Sequence, residues 1–449
     1  MEKITKRKPI KLKTNNSQEK DNEVEDKPIS KLFMIAKFCV SLPLNLVSVS
    51  FPVIFICGLH FSCMSKNACT FLKMPQFPEF SKFFSWKSVG YVTGWFTFQA
   101  ILSMLPIGKL VAGPRLDDQK KLHYRLNGLS SLIFTMAIFV YTTYFRKIPE
   151  NYYKDNYISF ITGSFIYILL ISLVVLVHSR YTGSTKYGNS SGRLIEDFIY
   201  GCTVNARLFD GILDLKVFAF KAGFISWAVI NIGYLLEAVE TSGLMGTLDK
   251  NPSLLILVVL QLWYVLDAMI FEEALLYTAS LSSEKIGYMF YYSVLCFFPF
   301  FCSLQAKYLF LFPRSLSWQY YIVAVFLYVI GYCIYRTSVQ QKFNFRKDPH
   351  QAKVSGVKFI LTANQKDILV DGWWSVVRHP NYLGDWMMCC SWGILCGFTH
   401  GIPWLWPVSL LGMLIGMAIR DDAKCKQKYG SSWEEYRKLV KHKMLPYIF

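Results

Sequence analysis

About ten apolar runs, most of them long enough to cross a lipid bilayer, dominate this 449-residue sequence. A membrane-spanning helix needs about 20 mostly apolar residues, and hydrophobic residues make up 53% of the chain. Because backbone polar groups must be satisfied inside the bilayer, such runs predict helices. We therefore predict an all-α, polytopic membrane protein with about ten transmembrane helices. The predicted spans lie near residues 38–62, 87–112, 128–145, 157–178, 218–238, 253–278, 287–312, 319–336, 383–399 and 403–419.

The charge and cysteine patterns fit a membrane protein better than a nucleic-acid-binding or metal-binding one. The chain has 48 Lys and Arg against 30 Asp and Glu, and basic loops are retained on the cytoplasmic side of membranes. Its 12 Cys residues lack the spacing of a zinc site or a disulfide scaffold, so we expect small buried hydrophobes and no metal. No cleavable signal peptide is visible, so we expect the first apolar run to act as the anchor.

Three zones divide the chain by composition. Residues 1–33 join a basic half to an acidic half and predict a disordered tail. Residues 34–336 are predicted to form an N-terminal transmembrane body with the substrate pocket, and residues 337–449 a C-terminal lobe with a transmembrane hairpin. The basic half of the tail has two open interpretations: weak contact with nucleic acid or anionic lipid, or a solvated segment that helps orientation.

The segment Gly372–Asp385 concentrates polar chemistry beside an apolar run. It reads Gly-Trp-Trp-Ser-Val-Val-Arg-His-Pro-Asn-Tyr-Leu-Gly-Asp. Charged groups are costly next to a membrane, so such a cluster is by default a binding site. Trp374 can stack on an aromatic ring, and Asn381 and Tyr382 can hydrogen-bond an amide. An interfacial aromatic belt is the alternative for the tryptophan, but it does not account for the polar neighbours.

Basic residues near this segment are candidates for phosphate binding. Lys342 and Arg346 share a helix face if the eighth span continues past residue 335, and can then bind one phosphate group. A positive flank that anchors the span is the alternative interpretation. Arg378 and His379 either bind phosphate or close the turn before Pro380.

A third candidate element follows the last predicted span. Asp421, Cys425 and Tyr429 recur every four residues and would line one stripe of a helix that stops at Gly430. An acid on that stripe can accept hydrogen bonds from ribose hydroxyls. The alternative is an amphipathic interfacial helix with snorkelling lysines, which is compatible with binding.

Together these motifs resemble the membrane sterol reductases, the family of the sterol carbon-14 and carbon-7 reductases and the lamin B receptor. The resemblance is carried by Arg-His-Pro-Asn-Tyr, by Pro299 with Ser-Leu-Gln-Ala at 303–306, and by the final Leu-Pro-Tyr-Ile-Phe. It covers nearly all of 34–449 and is strongest from about residue 299. The resemblance implies NADPH-dependent reduction of a sterol ring double bond, and Pro380 favours the carbon-14 bond. It also implies an endoplasmic reticulum membrane location, with the inner nuclear membrane as an extension.

The same resemblance implies the site residues. A proton and a hydride are added to the two carbons of the double bond, and the expected proton donor is Glu272 or Glu273, in the sixth span with Asp267. Burial and like-charged neighbours would raise the pKa of such an acid. Tyr382 would set the distance for hydride transfer, and Asp385 could face the same pocket. The implied NADPH contacts are Lys342, Arg346, Leu369, Trp374, Asn381, Tyr382, Asp421, Cys425, Lys426, Gln427, Lys428, Tyr429 and Tyr436.

Departures from the family pattern leave other functions open. The motif Gly-Arg-Glu-Leu-Asn-Pro-Arg appears at 201–207 as Gly-Cys-Thr-Val-Asn-Ala-Arg, and Ser293-Val294 replaces Gly-Asp. Ser280, Ser283 and Glu284 stand where relatives have Asp, His and Asp. NADPH binding is therefore expected more firmly than turnover. The alternatives are a weakly active or inactive nuclear-envelope protein like the lamin B receptor, and an isoprenylcysteine-type membrane methyltransferase that binds S-adenosylmethionine.

Overall fold

Helices make up most of the chain in the computed structural model, and the described residues from 49 onward belong to one unit, Ser48–Phe449. The structure describes residues 49–50, 54–59, 61–65, 68–69, 79, 82–115, 121–145, 156–182, 190–348, 355–362 and 367–449. The predicted tail, 1–33, lies outside these residues. The helices from residue 86 onward are α1 (Trp86–Met104), α2 (Gly128–Tyr144), α3 (Tyr157–Tyr181), α4 (Leu194–Tyr200), α5 (Leu215–Lys250), α6 (Pro252–Ile270), α7 (Glu272–Leu275), α8 (Ala279–Ser282), α9 (Tyr288–Tyr292), α10 (Phe298–Cys302), α11 (Leu304–Leu311), α12 (Trp318–Lys347), α13 (Trp373–Val376), α14 (Pro380–Cys396), α15 (Leu405–Tyr429) and α16 (Ser431–Leu439).

Short strands pair into two-stranded antiparallel ribbons between the helices. The best-developed ribbon pairs Lys109 with Leu126 and Val111 with Tyr124. A π-helical turn, Ser293–Phe297, joins α9 to α10. The strands are β1 (Cys63–Ser65), β2 (Ala68–Cys69), β3 (Lys109–Arg115), β4 (Lys121–Leu126), β5 (Arg207–Leu208), β6 (Leu213–Asp214), β7 (Phe359–Ile360) and β8 (Ile368–Leu369).

Six helical segments of the described chain are long and apolar enough to span a membrane. The prediction of a mainly helical membrane protein is therefore confirmed in its general form. Three more predicted spans correspond to α1, α2 and α14, which are shorter or less apolar, and the predicted span 38–62 lies mostly outside the described residues. The six segments are Tyr157–Tyr181, Leu215–Lys250, Pro252–Ile270, Tyr288–Leu311, Trp318–Lys347 and Ile402–Tyr429.

Two predicted spans end earlier than their apolar runs suggest. Helix α1 stops at Met104, before Pro106 and Gly108, and β3 begins at Lys109. Helix α6 stops at Ile270, and the next short helix, α7, begins with two glutamates. The two glutamates therefore belong to α7 and not to the sixth-span helix α6. Acidic side chains are favoured in the first turn of a new helix, where the helix dipole is positive.

Helices α12 and α14 cross at a pair of glycines, and this crossing places the C-terminal site. A Cβ atom on Gly384 would lie 2.5 Å from the Gly331 carbonyl oxygen, and one on Gly331 would lie 2.7 Å from the Gly384 carbonyl oxygen. Only glycine allows such a close approach of two backbones. Helix α12 continues without a break across the predicted boundary after residue 336 and reaches the cluster of basic residues at its end.

Five of the described free cysteines are buried, as the sequence predicted. Nine described cysteines are free, and five of them are buried, including Cys389 and Cys396. Cys63, in contrast, is disulfide-bonded. The expectation that the cysteines are small buried hydrophobes therefore holds for these five, but not for Cys333, which is exposed, or for Cys63.

Candidate functional site

The end of α12 brings Lys342 against Trp374. Because α12 runs as one helix to Lys347, Lys342 and Arg346 share a face, as the sequence predicted. The Lys342 Nζ atom lies 4.0 Å from the centre of the Trp374 ring, within the range of a cation–π interaction. The indole Nε1 of Trp374 donates to the Ser338 carbonyl oxygen at 3.0 Å. Arg346 donates to the Tyr277 carbonyl oxygen at 3.0 Å in an exposed position.

The predicted turn before Pro380 is closed by Arg378, so the structural interpretation of this arginine is favoured over phosphate binding. Its guanidinium is buried, lies 2.6 Å from the Asp422 carboxylate, and donates to the Lys441 carbonyl oxygen at 3.0 Å. The backbone N–H groups of Arg378 and His379 donate to the carbonyl oxygens of residues 442 and 443. The C-terminal segment is thus hydrogen-bonded to the turn before Pro380.

His379 and Tyr382 stack at the start of α14. Their ring centroids are 4.6 Å apart and their planes differ by 6°. Burial, followed by the nearby Lys342 and Arg378 cations, lowers the pKa of His379 to about 3. The imidazole is therefore neutral at physiological pH, and its 3.8 Å approach to the Asp421 carboxylate is not an ion pair.

Asn381 presents a buried hydrogen-bond acceptor without a donor. Its Oδ1 atom has no hydrogen-bond partner among the residues that the structure describes. A buried acceptor left unpaired costs about 1–3 kcal/mol, which a ligand with an N–H or O–H group can offset. This side chain lies in the first turn of α14, between the two stacked residues in the sequence.

Helix α15 places the predicted stripe beside this turn. It runs without interruption to Tyr429 and is followed by Gly430, whose φ is 53°, so the predicted helix stop is confirmed. Asp421 and Cys425 lie within electrostatic reach of Lys342. The side chains of Lys426, Gln427 and Lys428 are exposed. Lys426 Nζ lies 3.3 Å from the Glu434 carboxylate, and Lys428 Nζ lies 5.0 Å from the centre of the Tyr429 ring.

Leu369 and Tyr436 are buried in small apolar clusters beneath the stripe. Leu369 packs with Phe345 and Trp374. The Tyr436 hydroxyl donates to the Trp374 carbonyl oxygen at 3.1 Å, and burial raises the pKa of Tyr436. Leu369 and Tyr436 thus hold Trp374 in position, Leu369 by packing and Tyr436 by a hydrogen bond to its backbone.

The two predicted catalytic glutamates are each paired with a lysine. The Glu272 carboxylate is buried, accepts from the Gly128 backbone N–H at 2.8 Å, and lies 3.3 Å from Lys221 Nζ. The Glu273 carboxylate is more exposed and lies 2.6 Å from Lys347 Nζ. The sequence suggested that the two glutamates lie among like-charged side chains. In the structure each of them instead pairs with a different lysine. The catalytic role of both residues stays a prediction.

A third carboxylate, Asp385, forms a hydrogen-bonded pair with Tyr264, a partner that the sequence did not predict. The Tyr264 hydroxyl donates to Asp385 Oδ1 at 3.0 Å, which joins α6 to α14. Asp385 lies one helical turn from Asn381, so both are on the same side of α14. Tyr264 was missed in the sequence, where it stood among other aromatic residues of the sixth span. A polar group in a predicted span is the signal that identifies it.

Aromatic rings pack around the Tyr264 side of this pair, and this cluster is called the aromatic enclosure. The rings of Trp227 and Trp392 each lie 5.8 Å from the Tyr264 ring, and 5.7 Å from each other. Both indoles are almost fully buried. The Tyr335 ring stacks on Tyr264 at 6.1 Å. The faces of such rings carry partial negative charge and attract a cation.

Comparison with known proteins decides the family. Residues 22–449 match the model of the ergosterol biosynthesis ERG4/ERG24 family. The chain belongs to the ERG4/ERG24 family. It is 36% identical to the delta(14)-sterol reductase LBR of Gallus gallus over 370 residues, which are 81% of this chain and 57% of the relative. It is 35% identical to the delta(14)-sterol reductase TM7SF2 of Mus musculus over 362 residues, which are 79% of this chain and 84% of the relative.

A fungal member of the ERG4/ERG24 family matches over a longer stretch. The chain is 30% identical to the delta(14)-sterol reductase erg24 of Schizosaccharomyces pombe over 408 residues, which are 89% of this chain and 93% of the relative. The chain therefore spans little more than half of the chicken relative but most of the mouse and yeast ones. The resemblance to the membrane sterol reductases is confirmed, and the comparisons support a sterol reductase. These names do not favour the methyltransferase or the purely structural nuclear-envelope interpretation.

No group of three or more His, Cys, Asp or Glu side chains that could hold a metal ion is found within the described ranges.

Proposed function

We propose that this member of the ERG4/ERG24 family uses NADPH to reduce the carbon-14 double bond of a sterol. The observation that carries the proposal is the Asp385–Tyr264 pair, which lies inside an aromatic enclosure and one helical turn from the unpaired acceptor of Asn381. The names of the three relatives support the choice of the carbon-14 bond. The pocket for the sterol would open laterally to lipid.

The residues at the end of α12 and the start of α14 fit NADPH. The unpaired Oδ1 of Asn381 matches the N–H donors of a nicotinamide carboxamide. Lys342 and Arg346 share a helix face and match the extra phosphate, for which arginine offers a fork of donors. Asp421 lies within electrostatic reach of Lys342. Its carboxylate could therefore accept hydrogen bonds from the ribose hydroxyls of a cofactor whose phosphate is bound by Lys342. NADPH would supply the hydride.

The proton would come from the Asp385–Tyr264 pair. A carboxyl group hydrogen-bonded to a phenol in apolar surroundings can hold a proton and deliver it to one carbon of the double bond. The resulting positive charge on the neighbouring carbon would lie among the Trp227, Trp392 and Tyr264 rings, whose faces stabilise cations. A hydride supplied by NADPH would add at that carbon, and the enclosure would exclude water that could otherwise add there.

Asp385 is better placed for this role than the glutamates. Glu272 and Glu273 are each held in an ion pair with a lysine. Asp385 contacts a phenol instead of a cation. We therefore infer that the glutamates fasten α7 to α5 and α12, while Tyr382, stacked on neutral His379, sets the position of the cofactor ring.

We further propose that the protein crosses the endoplasmic reticulum membrane about ten times, with the inner nuclear membrane as an extension of that location. The α1, α2 and α14 helices would supply three of the spans beyond the six segments described above. The ion pairs of the sixth-span region and the basic end of α12 would then lie near the cytoplasmic face, where basic segments are retained. NADPH is available on that side.

Replacement of Arg346 tests the cofactor site. The Arg346→Ala variant is expected to bind NADPH about tenfold or more weakly while its affinity for NADH is nearly unchanged, because the lost contact is to the phosphate that only NADPH carries. Equilibrium binding to the purified protein measures both affinities. Lys347→Ala is the matched control, since Lys347 is half exposed and paired with Glu273. An equal loss for NADPH and NADH, or an equal effect of the control, would contradict the assignment.

A further inference from the structure

Three buried amides form a chain across the membrane part of the protein. Asn231 Nδ2 donates to Gln261 Oε1 at 2.7 Å, and Gln261 Nε2 donates to Gln305 Oε1 at 3.0 Å. Gln305 Nε2 donates to the Pro403 carbonyl oxygen at 3.0 Å. The chain links α5, α6 and α11 to the turn before α15. Each of the three side chains is at most 1% exposed.

The far end of this chain fixes the orientation of every amide. A carbonyl oxygen accepts hydrogen bonds and cannot donate one, so Gln305 must turn its Nε2 towards Pro403. Its Oε1 then faces Gln261 and requires a donor. For the same reason Gln261 must turn its Nε2 towards Gln305 and its Oε1 towards Asn231, which leaves Asn231 with its Nδ2 as donor. Rotating any amide by 180° would place two acceptors or two donors against each other.

Asn231 Oδ1 is consequently an acceptor that faces away from the chain of amides. It has no hydrogen-bond partner among the described residues, although the side chain is 1% exposed. Leaving such an atom unpaired in an apolar interior is unfavourable. A ligand that brings an O–H donor to this position removes that cost.

The unpaired oxygen lies close to the proposed reaction centre. Asn231 follows Trp227 by four residues on α5, so the two side chains are on the same face and about 6 Å apart along the helix axis. Gln261, the partner of Asn231, precedes Tyr264 by three residues on α6. The amide chain therefore lies about one helical turn from Trp227 on α5 and about one turn from Tyr264 on α6.

We propose that Asn231 Oδ1 accepts a hydrogen bond from the ring-A hydroxyl of the sterol. A sterol carries this hydroxyl at one end of its ring system and the carbon-14 double bond further along the same rigid skeleton. A contact at each place would fix the depth at which the sterol enters the enclosure. The inference rests on the proposed function and adds a specificity-determining residue to it.

Binding of two matched ligands tests this inference without turnover. The full-length protein in lipid nanodiscs, without NADPH, is titrated with a carbon-14-unsaturated sterol and with its 3-ketone, which has the same ring skeleton but no donor. The wild-type protein is expected to bind the hydroxyl form about tenfold more tightly, the effect of one well-made hydrogen bond at a buried acceptor. Asn231→Leu, a substitution of similar volume, is expected to bind both forms equally.

Gln305→Leu is the companion variant because it removes the amide that fixes the orientation of Gln261 and, through it, of Asn231. It is expected to lower thermal stability and to reduce the preference for the hydroxyl, whereas an unchanged preference would overturn the orientation assigned to Asn231. Equal binding of the two ligands by the wild-type protein would overturn the inference without any variant. Retention of the preference in Asn231→Leu would overturn it as well. If neither ligand binds, the proposed function itself is wrong, and this inference falls with it.

Discussion

Asp385→Asn is expected to reduce sterol turnover about 100-fold or more while leaving the fold and the NADPH affinity nearly unchanged. The amide oxygen of asparagine can still accept the hydrogen bond that Tyr264 donates at 3.0 Å, so the α6–α14 contact is kept. An amide cannot act as a proton donor of useful strength, and a positioned acid contributes about 10²- to 10⁴-fold to rate. The measurement is consumption of an 8,14-diene sterol by membranes that contain the variant, together with its equilibrium affinity for NADPH.

Two companion variants distinguish this acid from the other candidates. Tyr264→Phe removes the phenol that bridges to Asp385 and is expected to lower turnover strongly with little change in NADPH affinity. Glu273→Gln breaks only a partly exposed pair with Lys347, so a change of less than about threefold is expected. If Asp385→Asn kept normal turnover, or if Glu273→Gln lost turnover at unchanged NADPH affinity, the proton donor would have to be reassigned.

Arg378→Ala is expected to destabilise the protein by about 3 kcal/mol, the usual effect of removing one partner of a buried ion pair. The substitution removes the guanidinium at 2.6 Å from the Asp422 carboxylate, which among the described residues keeps only the Trp433 indole N–H, at 3.1 Å, as a hydrogen-bond donor. It also removes the Arg378 donor of the Lys441 carbonyl oxygen. Thermal unfolding of the purified protein, followed by intrinsic tryptophan fluorescence, measures the effect. NADPH affinity should fall only as far as the folded fraction falls.

Arg437→Ala is the control for this prediction. Arg437 also approaches Asp422, but at 3.9 Å and with 38% of its side chain exposed, so its removal should change stability by less than about 1 kcal/mol. An Arg378→Ala protein with unchanged thermal stability but weak NADPH binding would restore the phosphate-binding interpretation of this arginine.

The sequence identifies those parts of the site that depend on local periodicity. Lys342 and Arg346 lie four residues apart on a continuous helix, and Asp421, Cys425 and Tyr429 follow the same spacing up to a glycine stop. Such patterns depend only on the geometry of one helix. The apolar runs likewise predicted the positions of the long helices, although a run cannot show where proline or a pair of glutamates ends a helix.

Contacts between distant segments were beyond the reach of the sequence. Tyr264 and Asp385 are separated by 121 residues and meet only because α6 and α14 pack side by side. The same holds for the pairing of Glu272 with Lys221, which turned an apparent acidic cluster into separate ion pairs. Which polar groups meet across helices depends on the packing of those helices, and no spacing within one segment encodes it.

The most direct test of the proposed function is the sterol profile of living cells. The chain and its Asp385→Asn variant are expressed in cells that lack their own carbon-14 sterol reductase, and the sterols are read by mass spectrometry. The 8,14-diene is expected to disappear with the wild-type chain and to persist with the variant. Persistence of the diene with wild-type protein that is present in the membrane and binds NADPH would contradict the proposed reaction.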